Sequence, residues 1–221
     1  MQFSENDGKP EPPKTPRGYY LDEVISVLQK EIRRGKEYHA VYWAVELESF
    51  NEEKGVGAKI LWSRLGVIAS EDVSIAEPHV HLIIAALKEA YYDAVKRKDT
   101  AYRLFFVHAV LFLARARKCR IIDDLDVVVK GNIKFNHEML PMPDHAIDMH
   151  TLRGRERGRV GVTGIKHFLD EGAKLKNEVF KNPYKKSAGE FLIKHGTKWL
   201  SFPKDKKPWD TKNKSMKLGK P

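Results

Sequence analysis

Two histidines and two carboxylates fall within seven residues in Asp144-His145-Ala146-Ile147-Asp148-Met149-His150. Imidazole nitrogen and carboxylate oxygen ligate divalent metals, and the same groups serve as acid–base pairs. A metal-dependent phosphodiesterase or nuclease built on His145, Asp148 and His150 is therefore one reading. The spacing argues against it. Asp148 and His150 share one side of an extended segment, whereas His145 and Asp148 share one side of a helix, so no regular conformation gathers all four. The other reading is architectural: Pro141 and Pro143 deny regular bonding to the preceding chain, and short Asp and His side chains can tie such a loop to its own backbone. The architectural reading is adopted, so no residue is assigned as catalytic or as a metal ligand, and no cofactor is implied.

Arg153-Gly154-Arg155-Glu156-Arg157-Gly158-Arg159 follows directly. Guanidinium forks suit phosphate, and glycine lets backbone amides approach it. In an extended chain Arg153, Arg155, Arg157 and Arg159 would form one cationic ridge; in a helix they would scatter. Lys204, Lys206 and Lys207 open a lysine-rich tail that also carries Trp209, which could stack on a base. These seven cations are the expected nucleic-acid contacts. A formal charge of +10 favours a polyanionic partner in general. By contrast, Gly55-Val56-Gly57-Ala58-Lys59 is no phosphate loop: a Walker A loop needs four residues between its glycines, then Lys and Ser/Thr. No other segment matches, so ATP hydrolysis is not expected.

The elements that must position these groups read as helices. Leu21, Val24, Leu28 and Ile32 recur on one face until Gly35 stops the run. Tyr38, Val41, Tyr42 and Val45 predict a second helix, its apolar side widened by Trp43 and Leu47, and Leu61, Leu65 and Ile68 a third. Ile83, Ala86, Leu87 and Ala90 follow Pro78 in a fourth, which Lys96-Arg97-Lys98 closes favourably. Asp99 or Thr100 can cap a fifth carrying Leu104, Val107, Leu111 and Phe112. Ile121 to Lys130 is ambiguous between strand and helix, and a last helix is expected from about Ile165 to Val179. The predicted fold class is all-α: a helical bundle with a less regular, basic C-terminal half. Residues 1–18 read as a disordered Pro-rich leader, 19–120 as the bundle, 121–202 as an appended helical or irregular subdomain, and 203–221 as a disordered tail.

Hydrophobic residues at 42% suffice for a core. A single cysteine, Cys119, excludes an internal disulfide and a multi-thiolate zinc site. No secretory signal and no membrane-length apolar run is visible, so a cytoplasmic protein without membrane contact is expected.

In order and spacing, Val24-Ile25-Ser26, Arg33-Arg34-Gly35, Ala40-Val41-Tyr42-Trp43-Ala44 and Leu61 through Asp72, closing at Ala76-Glu77-Pro78, resemble one known domain. It is the C-terminal domain of the RarA/MgsA family of replication-associated, clamp-loader-like AAA+ ATPases. Ala109-Val110-Leu111-Phe112-Leu113-Ala114 continues the resemblance, while Arg117-Lys118-Cys119-Arg120 departs from the family's loop. The resemblance covers about Leu21 to Ala114 and implies a collar-like helical fold and self-association, commonly as a tetramer. It further implies a place in DNA replication or repair, as a non-catalytic module that contacts DNA through its basic half. A separate replication ATPase or a single-stranded-DNA-binding protein is the partner expected of an adaptor of this kind. Ser70-Glu71-Asp72 matches the family's acidic signature; a structural role at an interhelical corner, capping the next segment, is expected for it.

Overall fold

The computed structural model describes residues 13–196. The chain divides into two compact units, Met1–Glu138 and Met139–Pro221. Both are helical, and the protein is all-α, with no named strand among the described residues.

The first unit is a bundle of α1 (Leu21–Arg33), α2 (Glu37–Glu48), α3 (Val56–Ile68), α4 (Val80–Lys96), α5 (Arg103–Arg115) and α6 (Ile121–Phe135). The first face of the bundle follows its sequence pattern: Val24, Leu28 and Ile32 of α1 are buried, as are Leu61, Leu65 and Ile68 of α3. Gly35 ends α1 with φ +68°, a conformation that costs glycine least. Elsewhere the buried face is rotated. In α2 the core positions are Ala40, Ala44 and Leu47, while Tyr38 points to solvent. The reason is proximity: α2 packs against α1, α3 and α5 at once, and alanines let the backbones approach. In α4 the core takes Val80, Ile84, Tyr91 and Ala94, and in α5 Phe106, Ala109, Val110 and Leu113, with Leu104 exposed. Both helices are apolar over most of their circumference, so periodicity alone does not fix which side faces inward.

Ile121 to Lys130 is helix, the alternative that the family resemblance favours, and α6 groups with the first unit, so the division falls after Glu138 rather than after Arg120. Part of the expected leader is held against the bundle: Thr15 is buried, the Leu21 amide donates to the Pro13 carbonyl, and Arg17 pairs with the buried Glu46. Between α3 and α4 the chain makes a π-helical turn, Ala69–Val73, and a 3-10 turn, Ser74–Ala76.

The second unit holds a 3-10 turn at Asp144–Ala146, α7 (Leu152–Glu156), α8 (Gly161–His167), a π-helical turn at Phe168–Gly172, and α9 (Lys185–His195). The expected helix from Ile165 to Val179 is thus shorter and begins earlier, and α9 was not anticipated. Among the described residues no helix is long and apolar enough to cross a membrane.

Gly57 marks the tightest approach in the bundle. A Cβ there would lie 2.1 Å from the Leu47 carbonyl oxygen and 2.6 Å from that of Glu48. These are backbone atoms and cannot swing aside. Gly57→Ala is expected to destabilise the first unit by more than about 2 kcal/mol, measured by chemical denaturation.

Candidate functional site

The acidic signature sits where α1, α3, the π-helical turn and the start of α6 converge. Asp72 is fully buried. A buried carboxylate needs charge and hydrogen bonds around it, and three side chains supply them. Arg33 Nε donates to Oδ1 at 2.6 Å, Arg120 Nη1 donates to the same oxygen at 3.0 Å, and Gln29 Nε2 donates to Oδ2 at 3.2 Å. Glu71 shares both arginines, at 3.0 Å from Arg33 and 2.8 Å from Arg120. Arg64 on α3 orients Gln29 by donating to its Oε1 at 2.7 Å. The Asp72 carbonyl also accepts from the Cys119 amide at 2.8 Å. The expected role for this turn, capping the next segment, is replaced by a different one: it is an ionic hub that ties the root of α6 to α1. The π-helical turn contributes adjacent carboxylates to the same pair of guanidinium groups.

Burial pushes the Glu71 carboxyl up, but the hydrogen bond from Arg120 and the nearby Arg120 and Arg33 charges outweigh it and hold the group below the usual range. Lys118 lies beside the hub and donates to the carbonyls of Leu113, Ala114 and Ala116 at 2.6–3.0 Å, completing the C-terminus of α5. Burial lowers its pKa. Lys118 and Arg120 of the Arg117-Lys118-Cys119-Arg120 segment are therefore occupied with holding this corner.

The histidine–carboxylate cluster lies in the second unit and forms a self-bonded loop. Asp148 accepts from the His150 amide at 2.9 Å through Oδ1, and its Oδ2 lies 3.0 Å from His150 Nδ1. The Asp148 carbonyl accepts from the Thr151 hydroxyl at 3.0 Å, and Thr151 caps α7 by accepting from the Gly154 amide at 3.0 Å. Only glycine fits at 154, since a Cβ would lie 1.7 Å from the Asp148 carbonyl oxygen. His145 is exposed in the preceding turn and does not join the pair. No three His, Cys, Asp or Glu side chains among the described residues are grouped to hold a metal.

The arginine run does not form an extended ridge. Arg153 and Arg155 lie on α7, and three of the four arginines bond to the neighbouring loop, with Arg155 and Arg157 still exposed and Arg159 half-buried. Arg155 donates to the His150 carbonyl at 3.1 Å. Arg157 donates to Asp144 Oδ1 at 3.1 Å, and Arg159 grips both Asp144 oxygens at 2.7 and 2.6 Å and also bonds the Asp144 and Ile147 carbonyls. The hydrogen bonds from Arg159 lead the effects that hold the Asp144 carboxyl below the usual range. His167 completes the group, its Nε2 3.5 Å from Asp144, an ion-pair separation rather than a hydrogen bond. Arg153 alone of the four is exposed with no side-chain ion pair or hydrogen bond among the described residues. Lys204, Lys206 and Lys207 lie outside the described residues.

Sequence reasoning missed a cleft of about 310 Å³ in the first unit, lined by Tyr91, Tyr92, Tyr102, Glu48 and Glu52 among others. Tyr91 donates to Glu48 at 3.1 Å, and Arg103 bridges Glu48 and Glu52 at 3.1 and 2.9 Å. Burial, with the neighbouring Glu48 charge, raises the Tyr91 hydroxyl well above its ordinary pKa. These residues come from three separate segments, so no local spacing signals them.

Two outcomes are expected of the hub. Asp72→Ala should cost about 3 kcal/mol, the lower end of the buried-pair range, because Arg33 and Arg120 are 33% and 35% exposed. Chemical denaturation measures it. The Glu71 contribution should be fully present above the ordinary glutamate pKa of about 4.3 and lost as pH falls through the lower folded value. In a thermal melt series, the acid-side loss should therefore be smaller in Glu71→Gln than in the wild type.

Comparison with protein-family models and with curated proteins returned no match to this chain.

Proposed function

We propose that this chain is a non-catalytic, self-associating module of DNA metabolism, acting as an adaptor that holds nucleic acid through its second unit. One observation carries the reading. Residues 1–138 hold 21 Lys and Arg against 21 Asp and Glu, while residues 139–221 hold 19 against 9. The whole excess of +10 therefore belongs to the second unit, and the helical bundle is neutral. A polyanion is drawn to one unit, which leaves the other for protein contacts.

The motifs shared with the clamp-loader-like family support the scaffold half of this reading. Arg33 and the Glu71–Asp72 pair come from separate motifs and meet at one hub. Their meeting supports reading them as architecture within a collar-like fold. On this reading the partner is DNA, with a separate replication ATPase as the protein that the module serves.

Binding should be salt-sensitive and weakly dependent on sequence. The log–log slope of affinity against salt should run at about −0.7 to −0.9 per phosphate contacted. Because the arginines differ in their work, their substitutions should separate. Arg153→Ala should reduce the magnitude of that slope by about 1 with no change in melting temperature. Arg159→Ala should instead lower the melting temperature of the second unit. Fluorescence anisotropy with single- and double-stranded DNA across a salt series reads the first effect. Absence of binding at low salt would overturn the nucleic-acid half of the proposal.

A further inference from the structure

Helix α9 meets the rest of the second unit along one side. It packs against α8, and its buried Gly189 lies where a Cβ would come within 3.4 Å of Leu169 Cδ1. At about 100° of turn per residue, Tyr184 at the N-cap, Phe191 and His195 fall on the far side, with Ala188 beside them. Tyr184 and Phe191 are 76 and 60% exposed, and Phe180, just ahead of the helix, is 84% exposed. The His195 ring stacks on Phe191, with centroids 6.1 Å apart and planes inclined by 27°. That is the geometry in which a flat π-system meets Phe191.

Cations surround these rings. From Lys174 to His195 the chain holds six lysines against two glutamates. Lys174, Lys185 and Lys186 lie against Glu171, Glu178 and Glu190 at 2.9, 3.7 and 4.0 Å. Lys176, Lys181 and Lys194 make no ion pair among the described residues. Lys194, three residues on from Phe191, is its neighbour on the helix surface.

Rings and free ammonium groups together fit a chain of flat bases joined by phosphates, each ring taking a base and each lysine a phosphate. A duplex keeps its base faces inside its own stack and offers the rings nothing. A membrane-surface helix needs a broad apolar face, whereas Ser187 and Ala188 lie between the two rings of α9. Tyr184 and Phe191 stand about 10 Å apart along the helix, which leaves room for a separate base on each.

We propose that the exposed aromatic side of α9, with Phe180 and the lysines around it, is a stacking platform for single-stranded nucleic acid. The inference rests on the nucleic-acid reading above and narrows it to the unpaired form.

The test uses the full-length chain with a fluorescein-labelled oligothymidylate and a labelled duplex of the same length, read by anisotropy across a salt series. The single strand should bind more tightly. Phe191→Ala and Tyr184→Ala should each weaken it about fivefold or more, with the salt slope unchanged because no phosphate contact is lost. Duplex binding should not respond to either. Lys194→Ala should instead reduce the magnitude of the single-strand slope by about 0.7. Phe191→Trp should keep the affinity, since a larger ring replaces the first, which separates stacking from damage to the fold. Single-strand binding that both alanine variants leave at wild-type strength, or duplex binding weakened equally, overturns the inference while the nucleic-acid reading stands. Absence of binding to either form removes both. Binding to vesicles of phosphatidylcholine and phosphatidylserine that Phe191→Ala abolishes, with none to oligothymidylate, would mean a membrane contact and overturn it as well.

Discussion

The fully buried carboxylate of Asp72 organises the corner of the first unit where α1, α3 and α6 meet. Asp72 has no access to water, so its charge must be met inside the protein, and Arg33 and Arg120 meet it from opposite ends of the bundle's sequence. Each arginine also serves Glu71, which spreads two negative charges over two positive ones and leaves Gln29 to satisfy the remaining oxygen. Such an arrangement adds little net stability over an apolar corner of the same shape, yet it fixes geometry, because removing any member strands the others. What it fixes is the direction in which α6 leaves the bundle. The most exposed apolar helix of the unit is thereby rooted in its most buried charge.

The second unit is held together on a different principle. It buries few large side chains, Ile147 and Ile165 chief among them. Its cohesion comes instead from side chain–backbone hydrogen bonds and from the grip of Arg157 and Arg159 on Asp144. Arg159 is the one whose guanidinium is largely committed to the loop, while Arg155 and Arg157 bond to it and remain exposed. Histidine and carboxylate serve the same loop: Asp148 accepts from the His150 amide through Oδ1, and its Oδ2 lies against His150 Nδ1.

The positions of the helices were legible because their apolar residues recur at helical spacing and their ends carry glycine, proline and charge. Which face each helix buries was legible only where one face is clearly polar. For α1 it is, and Val24, Leu28 and Ile32 fall inside as their spacing indicates. For α2, α4 and α5 nearly every side is apolar, and the inner face was decided by which neighbours press against it. Small residues then won over large ones: Ala40 and Ala44 face the core while Tyr38 does not. The ambiguity at Ile121 to Lys130 had the same origin, since Val127-Val128-Val129 suits a strand locally and only the helical context selects otherwise.

By itself, the sequence determined the all-α class, the helical bundle and the concentration of positive charge toward the C-terminal end. These follow from periodicity, turn residues and composition, which are local properties. Tertiary structure alone decided what the chemical-looking residues do. It placed Glu71 and Asp72 between arginines from distant segments, bonded Arg155, Arg157 and Arg159 to the neighbouring loop, paired Asp148 with His150 apart from His145, and gathered three tyrosines around a cleft. It also left α6 uncovered. Each outcome depends on contacts between residues far apart in the chain, and a side chain's charge or hydrogen-bonding capacity does not specify which distant partner will be there to meet it.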